Sequence, residues 1–268
     1  AVSGMPVCCP YRASLLTGLY PHHHGVFLND LCLMPNYPAM GELFKNAGYD
    51  TAYIGKWHLD GHGRSRNVPP ERRRGFDYWK VMECTHNYNE SYYYSSETYE
   101  DSSASRCESS EPYGGGNASC HSSRETCGDS NASCHSSRET YGDSNASCHS
   151  SSEPGKPADQ WDQVRLWRGY DAFAQTEDAI SYIGSHAAAV NKSGATKPFL
   201  LMLSWGPPHD PYDTAPESYK DMYNARELQL RPNVPENQAA EARQELAGYY
   251  AHISALDACL GKLIATVK

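Results

Sequence analysis

Residues 198–204 read Pro-Phe-Leu-Leu-Met-Leu-Ser and form a short, continuous apolar run. A run of this length predicts a strand that is buried on both faces, as in a parallel sheet covered by helices. Thr51-Ala-Tyr-Ile-Gly55 is a second strand candidate, because it is rich in residues that favour β structure.

Helical patterns flank these two strands. Each pattern either ends at a glycine or repeats its apolar residues with helical spacing. The predicted helices are Pro10–Thr17 before Gly18, Pro38–Ala47 before Gly48, Asp171–His186 with Phe173, Ile180 and Ile183, and Ala239–Val267 with Leu246, Tyr250, Ile253, Leu256, Leu260 and Ile264. Strands that alternate with helices predict an α/β fold with a mainly parallel central sheet flanked by helices.

The composition divides the chain into residues 1–91, 92–158 and 159–268. The middle part is rich in Ser, Glu, Gly, Asn and Cys, and it repeats NASCHSSRETCGDS of residues 117–130 almost unchanged in residues 131–144. Because this repeat has no apolar face, we expect a disordered insertion within one catalytic domain. Its adjacent Cys-His pairs lack the ligand spacing of known zinc sites. A scaffold that displays the repeat to a partner stays open.

Charge and hydropathy exclude two classes of partner. The formal net charge is -9, which disfavours nucleic-acid binding, although a few local cations can still attract a small anion. The sequence contains no run of 18 apolar residues, so no membrane span is predicted.

The segment Cys8-Cys9-Pro-Tyr-Arg12-Ala-Ser-Leu-Leu-Thr-Gly18 carries the strongest chemical signal. Cys8 lies just ahead of a predicted helix, whose N-terminal amides favour anions. Arg12 follows one helical turn later, so its guanidinium can return towards residue 8. A nucleophile beside a fixed cation suits chemistry on an anionic group.

Two further segments place a lysine and two histidines after strand candidates. In Gly55-Lys56-Trp57-His58, extended backbone would direct Lys56 and His58 to one side and Trp57 to the other. His209 follows the run 198–204 in a proline-rich loop, at the edge where parallel sheets build their sites.

These three segments, in this order, resemble the type I sulfatases, which depend on formylglycine and have an alkaline-phosphatase-like fold. The pattern Cys-x-Pro-x-Arg followed by Leu-Thr-Gly selects Cys8 as the formylglycine precursor, because Pro10 and Arg12 stand at the required offsets. Tyr11 replaces the usual small residue, and Asp60 stands where the family has glycine after Gly-Lys-Trp-His-Leu.

The resemblance implies a set of roles. Formylglycine at position 8 attacks sulfur, His209 assists the departure of the alcohol, and His58 removes a proton. Lys56 and Arg12 stabilise the negative charge. Lys56 and His209 also bind the substrate. A divalent cation, usually Ca2+, would bind the modified Cys8, with carboxylate ligands in segments beyond this chain. We therefore expect a piece of a longer protein, metal-deficient and inactive alone.

The resemblance also implies partners and a location. It implies a sulfate ester substrate, expected to be a carbohydrate, maturation by a formylglycine-generating enzyme, and a periplasmic or secreted protein. Two other readings stay open. One is a phosphonate monoester or phosphodiester hydrolase of the same superfamily, and the other is a non-catalytic remnant. Arg72–Arg74 is either a solvated cluster or a substrate-facing one, and His22–His24 is expected to be structural rather than metal-binding.

Overall fold

The computed structural model describes residues 3–96, 162–193 and 197–268. The helices are α1 (Cys8–Thr17), α2 (Pro21–His24), α3 (Met40–Asn46), α4 (Asp171–Ser193), α5 (Glu217–Lys220) and α6 (Ala239–Thr266). The strands are β1 (Asp50–Lys56), β2 (Tyr78–Met82), β3 (Glu90–Ser95), β4 (Gln163–Arg168) and β5 (Phe199–Ser204).

The five strands form one sheet in the order β4-β3-β2-β1-β5. β1 pairs in parallel with both β2 and β5, whereas β3 pairs antiparallel with β2 and β4. The predicted α/β fold with a helix-flanked sheet is confirmed. The sheet is mixed rather than uniformly parallel, because β3 runs against its two neighbours.

Both predicted strands lie side by side in this sheet. In β5, Leu200 and Met202 pack on one face while Leu201 and Leu203 pack on the other. The strand therefore contributes to both cores, as predicted. Its residues are only half-buried, because β5 is an edge strand among the described residues.

Helices cover the two faces of the sheet. On one face, Ala13 and Leu16 of α1 join the core built around Tyr53 of β1. On the other face, Ile54 of β1 packs in a core that includes Ala179 of α4. Successive residues of β1 thus point into different cores, as the alternation of an extended strand requires.

The predicted helix Ala239–Val267 is present as α6, but only Leu246 and Leu256 of its apolar pattern are half-buried. Tyr250, Ile253, Leu260 and Ile264 are exposed, and the helix buries a row of mostly small residues instead: Ala247, Gly248, Ala251, His252, Ala255 and Cys259. The reason is close approach of neighbouring backbone. A Cβ at position 248 would lie 2.3 Å from the carbonyl oxygen of Tyr212.

The helix ends follow local signals. α1 ends at Thr17, and Gly18 adopts a left-handed conformation with φ of 71° that terminates it. α3 begins at Met40 rather than Pro38, where the Glu42 carboxylate accepts a hydrogen bond from the Ala39 amide at 2.9 Å. α4 extends to Ser193, seven residues beyond the predicted end at His186.

The predicted boundary at residue 91 falls inside β3, so the folded part continues through Ser95. The tandem repeats and the rest of the predicted insertion up to residue 158 lie outside the described residues. Within the part of the chain that is described, none of the helices has the length and apolar character needed to cross a membrane.

Candidate active site

Cys8 is the first residue of α1, where unpaired helical amides favour negative charge. Its side chain is half-buried, whereas the adjacent Cys9 is fully buried in the core. Burial raises the pKa of the Cys9 thiol to about 11. Of the two neighbouring thiols, Cys8 is therefore the one that solvent reaches in the folded protein.

Lys56 and Arg12 connect this helix end to the sheet. Lys56, the last residue of β1, is buried, and its Nζ lies 3.8 Å from the Sγ atom of Cys8. Arg12 donates from Nη1 to the carbonyl oxygen of Lys56 at 2.7 Å and to Oγ of Ser204 at 2.6 Å. In the described part of the chain, its hydrogen bonds thus go to the ends of β1 and β5 rather than back to Cys8.

His58 reaches its position by a turn of the backbone. The extended strand ends at Lys56, and His58 has a positive φ of 55°. The regular strand alternation assumed from the sequence therefore ends at Lys56, although the positive charge of Lys56 still acts on the His58 ring. Trp57 does turn into the core, where its ring is fully buried.

The His58 ring is held by an acidic residue that sequence reasoning missed. Its Nε2 atom lies 3.0 Å from Oδ1 of Asp30, and Asp30 also accepts two hydrogen bonds from Arg64. Burial, followed by the positive charge of Lys56, lowers the pKa of His58 to about 4. The imidazole is therefore neutral at pH 7 and able to accept a proton.

His209 lies in the loop after β5 and is 39% exposed. Its Nδ1 atom is 2.7 Å from the carboxylate of Asp210, and its ring stacks on His86 with 4.6 Å between centroids. Burial, followed by the charge of Lys56, lowers the pKa of His86. Since Lys56 perturbs His86 as well as His58, both imidazoles lie within electrostatic range of the ammonium next to Cys8.

His86 was not selected from the sequence. It follows β2, whose carboxyl end lies beside that of β1, so its position at the common edge of parallel strands was the available signal. This signal could be used only if β2 was predicted as a strand, and β2 was not predicted from the sequence.

Glu83 is a second buried acidic residue at this edge. It follows β2, and its carboxylate accepts a hydrogen bond from the Asp60 amide at 3.2 Å. Burial, followed by the charge of Asp60, raises the pKa of Glu83 to about 8. Asp60, where the family usually has glycine, is completely buried and receives two hydrogen bonds from Arg72.

The three consecutive arginines belong to the scaffold. Arg72 pairs with Asp60, Arg73 with Asp162, and Arg74 with Glu42. Neither reading from the sequence is correct, because Arg73 and Arg74 are buried and all three guanidinium groups are engaged by carboxylates within the protein.

The described residues do not supply a calcium site. Across residues 3–96, 162–193 and 197–268, the potential metal ligands that come together are His86, His209 and Asp210. Two imidazoles and one carboxylate suit zinc or copper, whereas calcium prefers six to eight oxygen ligands. His22–His24 is not part of such a group. No catalytic step is therefore assigned to a metal.

Comparison with known proteins identifies related chains. A protein-family model described as Sulfatase matches residues 1–268. An ulvan-active sulfatase of Formosa agariphila is 39% identical over 264 residues, which cover 98% of this chain and 38% of the relative. An endo-4-O-sulfatase of Bacteroides thetaiotaomicron is 24% identical and is matched over 100% of this chain and 45% of its own length. The chain thus spans less than half the length of these relatives.

Solved structures show the same fold. A crystal structure assigned as the sulfatase yidJ of Bacteroides fragilis matches with a TM-score of 0.67 and 23% identity, over 100% of this chain and 49% of its own chain. A structure from work on glycosaminoglycan metabolism by Bacteroides thetaiotaomicron matches with a TM-score of 0.64 and 21% identity, over 99% of this chain and 46% of its own.

Proposed function

Since this chain belongs to the sulfatase family, we propose that the complete protein hydrolyses sulfuric esters with a formylglycine nucleophile formed from Cys8. The observation that carries the proposal is the contact between Cys8 and Lys56, 3.8 Å apart at the N-terminus of α1. A buried ammonium and a helix N-terminus both stabilise negative charge, which a sulfate group brings and the reaction redistributes.

The remaining residues have separable roles. Formylglycine supplies an oxygen nucleophile as its aldehyde hydrate. Lys56 holds a sulfate oxygen, and Arg12 keeps the ends of β1 and β5 in register with α1. His58, neutral because of burial, accepts a proton, and His209 donates one to the departing alcohol. The Asp210 carboxylate lies 2.7 Å from Nδ1 of His209 and orients the ring.

Sulfated carbohydrate is the substrate class that we propose. One relative is named as an ulvan-active sulfatase, and ulvan is a sulfated polysaccharide. Another is named as an endo-4-O-sulfatase, and the prefix endo refers to attack within a chain. A carbohydrate polymer is met outside the cytoplasm, which supports a periplasmic or secreted protein. A formylglycine-generating enzyme is the maturation partner, and Ca2+ would be held by the modified Cys8 together with carboxylate ligands other than the described residues.

The test uses the complete protein co-expressed with a formylglycine-generating enzyme. Mass spectrometry of the proteolytic peptide ending at Arg12 should show thiol loss and an aldehyde at residue 8. The protein should release sulfate from sulfated oligosaccharides, and Cys8→Ala should abolish this release. Cys259→Ala is the matched control, because this buried thiol of α6 contacts the carbonyl oxygen of Ala172, and the variant should retain both modification and activity.

Each alternative predicts a different result. Faster turnover of phosphonate or phosphodiester substrates than of sulfate esters would favour the phosphoryl-transfer reading. An unmodified Cys8 in a protein that turns over no ester would favour a non-catalytic remnant. Modification of a Tyr11→Ser variant but not of the wild type would identify Tyr11 as the block to maturation.

A further inference from the structure

The two ring nitrogens of His58 have different surroundings. Nε2 lies 3.0 Å from Oδ1 of Asp30, whereas Nδ1 is buried without a hydrogen-bond partner among the described residues. The side chain as a whole is 2% exposed. A buried polar atom left unpaired carries the cost of its desolvation and calls for a reason.

The Asp30 carboxylate is itself held in place. Arg64 donates to its two oxygens from Nε at 2.9 Å and from Nη2 at 2.8 Å, which is the two-pronged geometry that fixes a carboxylate plane. These hydrogen bonds lower the pKa of Asp30 to about 2. An ionised carboxylate accepts but does not donate, so the proton between the two side chains resides on Nε2 of His58. Nδ1 is then the atom with the free lone pair.

The backbone around Asp30 connects this pair to the nucleophile. Asp30 has a positive φ of 64°, and its amide donates to Sγ of Cys9 at 3.3 Å. Asn29 accepts a hydrogen bond from the Cys9 amide at 3.0 Å through its side chain. The loop that carries Asp30 is thus fastened to the residue next to Cys8, so the position of the base is coupled to that of the nucleophile.

We infer that Asp30, clamped by Arg64, is a positioning residue that fixes His58 as its Nε2–H tautomer and leaves Nδ1 free to accept a proton. This inference rests on the proposed function for the step it serves. There, after the alcohol has left, His58 takes one proton at Nδ1 from the remaining hydroxyl of the sulfated side chain at position 8. The bond from the carbon of that side chain to the sulfate oxygen breaks, so sulfate leaves and the aldehyde forms again. The resulting imidazolium is paired with the Asp30 carboxylate, and the proton then passes to water.

The first test is spectroscopic and does not depend on turnover. The complete protein is labelled with 15N-histidine, and long-range proton–nitrogen correlation identifies which ring nitrogen bears hydrogen. His58→Gln assigns the signals. We expect the wild-type His58 to show a protonated Nε2 and an unprotonated Nδ1. In Asp30→Asn, the side-chain amide can also donate to Nε2, so the Nδ1–H tautomer should appear.

The second test measures kinetics on a sulfate ester. Asp30→Asn should lower kcat by about 10²–10³-fold, the range found when a general base is misdirected, while KM changes little. Asparagine tolerates the positive φ at position 30, so the fold should be retained. Asp77→Asn is the matched control, because Asp77 is an exposed carboxylate that pairs with Lys45 away from the site.

Arg64→Gln provides an independent variant. It removes the clamp but keeps the carboxylate, so we expect a mixture of His58 tautomers and a smaller loss of kcat, about tenfold. An unchanged tautomer and unchanged kcat in Asp30→Asn would overturn the inference. A tautomer that changes in Asp30→Asn, together with a wild-type protein that hydrolyses no sulfate ester, would support the Asp30 assignment and contradict the proposed function.

Discussion

At the scale of single residues, buried charge is the distinctive feature of this protein. Arg74 is 4% exposed and has a positive φ of 49°. It donates to the Glu42 carboxylate and to three backbone carbonyl groups in residues 33–37. A planar guanidinium can satisfy such a set of acceptors, and a lysine ammonium cannot. The arginine therefore organises the segment between α2 and α3.

Arg74→Lys should lower the free energy of unfolding by about 2–4 kcal/mol, because it leaves several buried acceptors unpaired. Urea denaturation of the wild type and the variant measures this difference. Arg66→Lys is the control, since Arg66 is exposed, and it should change stability by less than about 0.5 kcal/mol. Equal losses in both variants would contradict the structural role of Arg74.

At the scale of elements, the site depends on how closely β1 and β5 approach each other at their carboxyl ends. Gly55 pairs with Ser204 across the two strands and has a φ of 105°. A Cβ on residue 55 would lie 2.2 Å from the carbonyl oxygen of Ser204. Since Arg12 donates hydrogen bonds to Lys56 and to Ser204, this close approach sets the geometry around Cys8.

Gly55→Ala should therefore destabilise the protein by about 3 kcal/mol or more, from backbone strain and from the clash with Ser204. It should also reduce activity, because the residues that contact Arg12 must move. Gly18→Ala is a matched control: its φ of 71° is also left-handed, but no atom lies within 4 Å of the added Cβ. Gly18→Ala should lower the free energy of unfolding by only about 1–2 kcal/mol, which is the cost of placing an alanine in the left-handed conformation. Thermal or urea unfolding distinguishes the two.

At the scale of the whole molecule, a buried polar network joins the start of α4 to β3. Asp171 is fully buried, accepts a hydrogen bond from Ser91 at 2.8 Å, and has one carboxylate oxygen without a partner among the described residues. Burial raises the pKa of Asp171 to about 7. The folded protein therefore retains a proton that the unfolded chain releases near pH 4.

This difference in proton binding lowers stability as pH rises. The contribution of Asp171 is fully present below about pH 4 and is lost progressively until the pH passes 7. In urea unfolding, the free energy of unfolding of the wild type, measured relative to that of Asp171→Asn, should fall by about 2–4 kcal/mol between pH 4 and pH 8. Ser91→Ala removes the hydrogen bond to the carboxylate and should steepen the decline. A pH-independent difference between the wild type and Asp171→Asn would contradict the buried, protonated carboxylate.

The sequence by itself determined the features that depend on neighbouring residues. Helix stops such as Gly18, the apolar run of β5 and the strand before Lys56 follow from local propensity and periodicity. The family followed from three short segments of fixed spacing. β2, β3 and β4 were not recognised, because their stability comes from pairing and burial rather than from a run of apolar residues.

Only the tertiary structure decided which residues meet. Asp30 contacts His58 across 28 positions of sequence, and Arg12 reaches Ser204 across 192. The stacking of His86 on His209 and the burial of the small-residue face of α6 likewise depend on how separate elements pack. Spacing along the chain does not encode these distances, because they are set by sheet order and by the closeness of backbones. The sequence therefore determined the family, and the fold decided which side chains meet around Cys8.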